Sequence, residues 1–233
     1  FRFCHVELSH SLLFSIGLVA CYLAVLILIA EKLKSLFSTN GEITRKVVHI
    51  GTGNVILFAW WLNIPAWVGI SAAILAATIA ILSYFFPILP SLNSVGRRSW
   101  GTFFYAVSIG VLVGYFWPIS HPEYAAMGIL IMALGDGFAA LVGQNFGQHP
   151  YKIFGSGKSL EGSLTMLVIS FLVSLIILSF INGINPPIIL VSLLTAIGAT
   201  ILETFSKLGI DNLTVPVGSA AIAYFLTQIF ISS

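Results

Sequence analysis

Charge is what this sequence has least of. Only 8% of its 233 residues are Asp, Glu, Lys or Arg, against 58% hydrophobic ones. A mean hydropathy of +1.03 leaves too little polar surface to hold a domain of this size in water. Cysteine is scarce as well. Cys4 and Cys21 have no metal-ligand spacing, and Cys21 falls inside an apolar run, so neither a disulfide framework nor a cysteine-held metal is expected. Internal repeats, low-complexity tracts and domain boundaries are absent. The basic residues are few and scattered, with a net charge of +2, which gives nucleic acid no patch to bind. What remains is an all-α, polytopic helical bundle in a lipid bilayer, read as one transmembrane domain over residues 1–233.

Apolar runs long enough to cross a hydrocarbon core of roughly 30 Å occur at about 11–30, 46–62, 66–86, 102–117, 124–143, 163–182, 187–206 and 213–231. Eight spans are therefore expected, the second, fourth and last being short or interrupted by polar residues. The first run lacks a basic leader and a cleavage site, so it reads as a span and not as a cleavable signal. Alternating spans place Lys32, Lys34, Arg45, Lys46, Arg97, Arg98, Lys152, Lys158 and Lys207 on one side and Arg2 on the other. By the positive-inside rule the first side is cytoplasmic, with both termini outside. Trp60, Trp61, Trp67 and Trp117 then lie near the outer interface and Trp100 near the inner one.

Acid, lysine and glycine concentrate in one stretch, GDGFAALVGQNFGQHPYKIFGSGKSLEGS, from Gly135 to Ser163. Asp136 ends the apolar run AAMGILIMALG, where a charge costs roughly 2.5–3.5 kcal/mol near the bilayer centre and less near its edge. A bound cation would offset that cost. In a helix, Asp136, Ala139, Ala140, Gly143 and Gly147 share one face of small side chains, suited either to a neighbouring helix or to a ligand. Beyond Gly147, Pro150 and the cluster Gly155, Ser156, Gly157 predict a polar loop that carries Lys152, Lys158, Ser159 and Glu161. The string Gly157-Lys158-Ser159 is not a P-loop, because Lys152 stands where that motif needs its first glycine and no preceding strand is predicted. Converging glycine N–H groups with a lysine instead suggest a phosphate-binding loop of another design, with an ordinary connection as the alternative.

Other polar residues collect on the same predicted side. Arg45 and His49 share a helix face at the start of the second span and are candidates for the substrate side, although His49 also suits a plain interface position. Arg97 and Arg98, after NSVG, are either topology anchors or phosphate contacts. Glu203 precedes Lys207 by one turn, which allows a simple ion pair. Asp211 and Asn212 open DNLTVP, where a turn and helix cap compete with a ligand role. Carboxylates gathered with lysine and arginine where a membrane meets the cytosol suit phosphoryl transfer from a soluble donor to a lipid alcohol. That reaction needs a metal to bridge phosphates, cations to spread charge, and a group to orient the hydroxyl. Asp136 and Asp211 are the expected metal ligands, with Glu203 third, and Mg²⁺ suits oxygen donors of this kind. Gly155, Gly157, Lys158, Ser159, Glu161, Asn212, Arg97 and Arg98 are the expected phosphate and nucleotide contacts. Asp136, Lys158 and Glu203 are the expected catalytic groups, and either Glu203 or a metal-held Asp is expected to take the hydroxyl proton.

The segments RKVVHIGTGN, SVGRRSWGTFFYAVSIG, GDGFAALVG, GSGKSLEGS and DNLTVPVGSA resemble the polyprenol kinase family, and within it the phytol kinases of photosynthetic organisms. Dolichol kinases are similar in the D-x-x-A-x-x-x-G, GKS-x-E-G and DN-L-x-x-P portions. The resemblance runs from about Arg45 to the end, leaving residues 1–40 outside it. It implies a CTP-dependent, Mg²⁺-requiring kinase of long-chain isoprenoid alcohols, in a thylakoid or plasma membrane, whose product feeds tocopherol or phylloquinone synthesis. Two other classes compete. CDP-diacylglycerol synthases transfer cytidylyl instead, but their H-G-G element is missing here. A transporter or flippase predicts polar residues through the membrane depth, whereas the midspan positions are almost wholly apolar.

Overall fold

The computed structural model describes residues 10–36, 41–85, 100–153, 156–205 and 207–231. Its order is α1 (His10–Leu36), α2 (Gly41–Gly53), α3 (Val55–Trp61), α4 (Ala66–Phe85), α5 (Gly101–Phe116), α6 (Pro122–Leu130), a π turn (Ile131–Asp136), α7 (Gly137–Phe146), β1 (Pro150–Ile153), β2 (Ser156–Ser159), α8 (Leu160–Asn182), α9 (Pro186–Thr204) and α10 (Asp211–Phe230). The all-α polytopic bundle is thus the architecture, with one small β-hairpin where the sequence predicted only a loop. Eight spans were expected; among the described residues six helical segments are long and apolar enough to cross a membrane: Ser11–Leu33, Ala66–Ser83, Pro122–Phe146, Leu160–Asn182, Pro186–Thr204 and Asp211–Phe230. The expected second span is broken at Asn54, whose amide side chain donates to the Ile50 carbonyl (3.0 Å) and competes with the helix ladder. The expected fourth span, α5, is apolar but short.

The central element is the run from α6 through the π turn into α7. Every residue from Glu123 to Ala133 is buried, as expected of a helix that is apolar all round. Small side chains permit this. A Cβ on Gly128 would stand 2.3 Å from the Pro216 carbonyl oxygen, so α6 and α10 touch backbone to backbone there. By contrast α1 and α4 expose large apolar side chains such as Phe14, Leu28, Ile74 and Leu75, a surface fit for lipid.

The turns sort to two ends. Trp117 Nε1 donates to the Ile64 carbonyl (3.0 Å), joining the α3–α4 and α5–α6 turns, and Trp60 meets Phe180 near the α8–α9 turn edge to face. At the opposite end the α9–α10 turn is pressed on the start of α5. Gly209 has φ +86°, and a Cβ there would lie 2.7 Å from the Gly101 nitrogen, so this turn takes no side chain. That packing fixes the first residues of α10, Asp211 and Asn212, beside the start of α5.

Candidate functional site

Two lysine–carboxylate pairs occupy the end of the bundle that carries Asp211. Lys46, in α2, is buried, and its ammonium meets Asp136 Oδ2 at 2.5 Å and the Asp136 carbonyl at 3.4 Å. Lys158, in β2, meets Glu203 Oε1 at 2.5 Å and also donates to the Glu203 carbonyl oxygen. Each lysine therefore holds an acid by both side chain and backbone. For Glu203 the backbone contact falls in the last turn of α9, where carbonyls lack helical partners and the dipole is negative. Asp136 and Asp211 both act electrostatically on the Glu203 carboxylate, and α10 packs on both α9 and the π turn, so the three acids share one end of the bundle. Among the described residues this centre sets three carboxylates against two ammonium groups.

Local sequence explains how each group is presented. Asp136 closes the π turn, whose extra residue re-aims the start of α7, a feature frequent at functional sites. Pro216 inside α10 has no N–H to offer the carbonyl of Asn212, which weakens the first turn at the point where Asp211 sits. Asp211 Oδ1 accepts from the Asn212 backbone N–H (3.1 Å), and Asn212 Nδ2 donates to the Gly209 carbonyl (3.2 Å), which ties both residues to the turn.

The hairpin pairs Tyr151 with Lys158 and Lys152 with Gly157. Its Tyr151 and Lys158 side chains share a face turned to the bundle, where the Tyr151 hydroxyl meets Ser163 Oγ at 2.5 Å. Lys152 lies on the other face, exposed. Ser159 caps α8, its Oγ accepting from the Gly162 N–H (3.1 Å), and Glu161 meets His149 Nδ1 at 2.6 Å to brace the hairpin base. The small-residue face of α7 is used for packing. A Cβ on Gly143 or Gly147 would lie 3.0 Å from Ser159 Oγ, and one on Gly162 would lie 3.0 Å from the Ala139 carbonyl oxygen.

Of the residues singled out from the sequence, Asp136, Lys158, Glu203 and Asp211 are brought together, with Asn212 adjacent to Asp211. Ser159 and Glu161 sit at the hairpin base as structural contacts, and Gly157 is exposed on the hairpin. Glu203 pairs with Lys158 and not with Lys207. His49 is half-buried with its ring 4.6 Å from that of Tyr105. Arg97, Arg98, Gly155 and the Arg45 side chain lie outside the described residues. Sequence reasoning passed over Lys46 as anything more than a topology charge. Its spacing from His49 and Gly53 on one helix face was the available signal.

The donor set fits a hard cation. The described residues hold no group of three or more His, Cys, Asp or Glu placed as metal ligands. Mg²⁺ needs only one or two carboxylates when substrate phosphates and water complete its shell. Glu203 Oε2 is buried without a hydrogen-bond partner among the described residues, an oxygen whose cost a bound group would offset. A groove of about 520 Å³ runs between α8 and α9, lined by Leu160, Glu161, Ser163, Leu164, Leu167 and Thr200. None of the three converging acids lines it.

The chain is 56% identical over 210 residues to a phytol kinase of Synechocystis sp., covering 90% of each. It is 28% identical to a probable chloroplastic phytol kinase of Triticum aestivum over 79% of this chain and 67% of that one. It is also 28% identical to a chloroplastic farnesol kinase of Arabidopsis thaliana, over 79% of this chain and 66% of that one. No family model matches the chain, and no solved structure does.

Proposed function

The chain belongs to the phytol kinase family, and from that premise we propose that it transfers the γ-phosphoryl group of CTP to the hydroxyl of phytol, giving phytyl monophosphate and CDP. The observation that carries the reading is the meeting of Asp136, Glu203 and Asp211 with Lys46 and Lys158 at one end of the bundle. In the transfer, the alcohol oxygen bonds to the γ-phosphorus and the bond to the β,γ-bridging oxygen breaks. The electron pair leaves with CDP. The hydroxyl proton passes to a carboxylate, in this reading Glu203, whose Oε2 is buried without a hydrogen-bond partner among the described residues. Lys158 steadies Glu203 and offsets charge at the transferred group, and Lys46 does the same beside Asp136. Asp136 and Asp211 would hold Mg²⁺, which when bound supplies neutralising charge across the β- and γ-phosphates. Asn212 and Glu161 keep the turn and the hairpin in place around the nucleotide.

The charged end faces the cytosol in this reading, so the nucleotide arrives from water while the isoprenoid chain stays between helices. Phytol released from chlorophyll would thereby be returned to tocopherol or phylloquinone synthesis, in a thylakoid or plasma membrane. Purified protein in detergent, given phytol and CTP labelled at the γ-phosphate, is expected to move label into the lipid phase. Label arriving there from the α-phosphate instead would mean cytidylyl transfer. Absence of labelled lipid in either case would end the kinase reading.

A further inference from the structure

The Tyr105 side chain in α5 lies beside the His49 ring of α2 and has no part in the transfer step itself. Tyr105 is 8% exposed, and its hydroxyl is fully buried with no hydrogen-bond partner among the described residues. A buried hydroxyl left unpaired costs about 1–3 kcal/mol, and phenylalanine would fill the same space without that cost. A Cβ on Gly53 would stand 2.8 Å from the Tyr105 hydroxyl and 2.3 Å from the Ala133 Cβ, so α2 ends in a glycine where the phenol and the π turn both press on it. Ala133, whose Cβ shares the space around Gly53 with the phenol, lies in the π turn that ends at Asp136, and Asp136 acts on the phenol electrostatically.

We infer that the Tyr105 hydroxyl hydrogen-bonds the hydroxyl of the acceptor alcohol and orients it toward the acid centre, as a positioning residue on the apolar side of the site. This rests on the phytol kinase reading. The surroundings favour an alcohol over a nucleotide. The described neighbours of the phenol are the His49 ring, Gly53 and Ala133, with Ile50 packed against Gly137 close by, and no lysine or arginine is among them. A triphosphate would enter this wall with its charges unmatched. An isoprenoid alcohol brings one hydroxyl and an apolar chain.

Tyr105→Phe keeps the ring and removes only the hydroxyl. It is expected to raise the KM for phytol about three- to tenfold, the size of one neutral hydrogen bond, with the KM for CTP and the Mg²⁺ dependence unchanged. In nucleotide-free protein, the rise in melting midpoint on adding phytol should shrink, while the midpoint without phytol stays the same or rises. An unaltered phytol KM, or a change in the CTP or Mg²⁺ dependence, would assign the hydroxyl elsewhere and overturn the inference. Failure of the unsubstituted protein to phosphorylate phytol would sink the family-based reading instead, so the two failures are distinguishable.

Discussion

Lys46 and Asp136 form a pair whose energetics differ from those of a surface ion pair, because the lysine side chain is 7% exposed and the aspartate 19%. Removing one partner leaves the other charge in a poor solvent, which typically costs about 3–5 kcal/mol, and the partial exposure of Asp136 puts the loss toward the lower end. Lys46→Met is therefore expected to lower the melting midpoint of the detergent-solubilised protein clearly. The double substitution Lys46→Met with Asp136→Leu should recover most of that loss, since an apolar pair of similar volume is tolerated where an ion pair stood. Both variants should be inactive. A double variant as unstable as the single one would show that the lysine matters for packing and not for the carboxylate. Asp136 was legible in the sequence because a lone charge ending an apolar run is costly and needs a reason. Lys46 was not, because its partner lies 90 positions away and composition near Arg45 and His49 pointed to the neighbouring helix face. Tyr105 had no signal at all: one hydroxyl among the aromatics of WGTFFYA looks like packing until its burial is known.

At the scale of elements, three local irregularities build the site: the π turn before Asp136, the hairpin carrying Lys158, and the proline in α10. The hairpin escaped sequence reasoning because its two strands, PYKI and SGKS, have only four residues each, too few for a period-two pattern to stand out from a loop. The break at Asn54 escaped it because the apolar run continues on both sides while the side-chain amide competes for the helix ladder. Pro216 closes DNLTVP, where the sequence reading stopped at Asp211 and Asn212, and its consequence can be measured. Pro216→Ala restores a backbone N–H that can engage the Asn212 carbonyl and tighten the first turn around Asp211. Proline in a helix interior costs about 3 kcal/mol relative to alanine, which outweighs the two ring carbons lost from a buried site. The melting midpoint should hold or rise while phosphoryl transfer falls at least about tenfold, one unit of 1.4 kcal/mol in the barrier. Unchanged transfer in a protein with a raised midpoint would mean that the weakened turn has no part in placing Asp211.

The whole molecule is polarised along its long direction. Tryptophans gather at the end of α3, the start of α4 and the end of α5, while the lysine–carboxylate pairs sit at the other end beside the α9–α10 turn. This separation was the most legible feature of the chain, because charge is so scarce that nearly every basic residue constrains which side a connection occupies. If the charged end faces the cytosol, reagents that cannot cross a membrane will tell the two ends apart. Lys152, exposed on the hairpin, and Ile184, 78% exposed in the α8–α9 turn, mark opposite ends. In a background with Cys4 and Cys21 replaced by serine and the protein inserted in a bacterial inner membrane, Ile184→Cys should react with an impermeant maleimide on intact spheroplasts. Lys152→Cys should react only after permeabilisation. Labelling of Lys152→Cys on intact spheroplasts would turn the molecule over, put the carboxylates on the face without CTP, and leave the donor nucleotide no way to reach them.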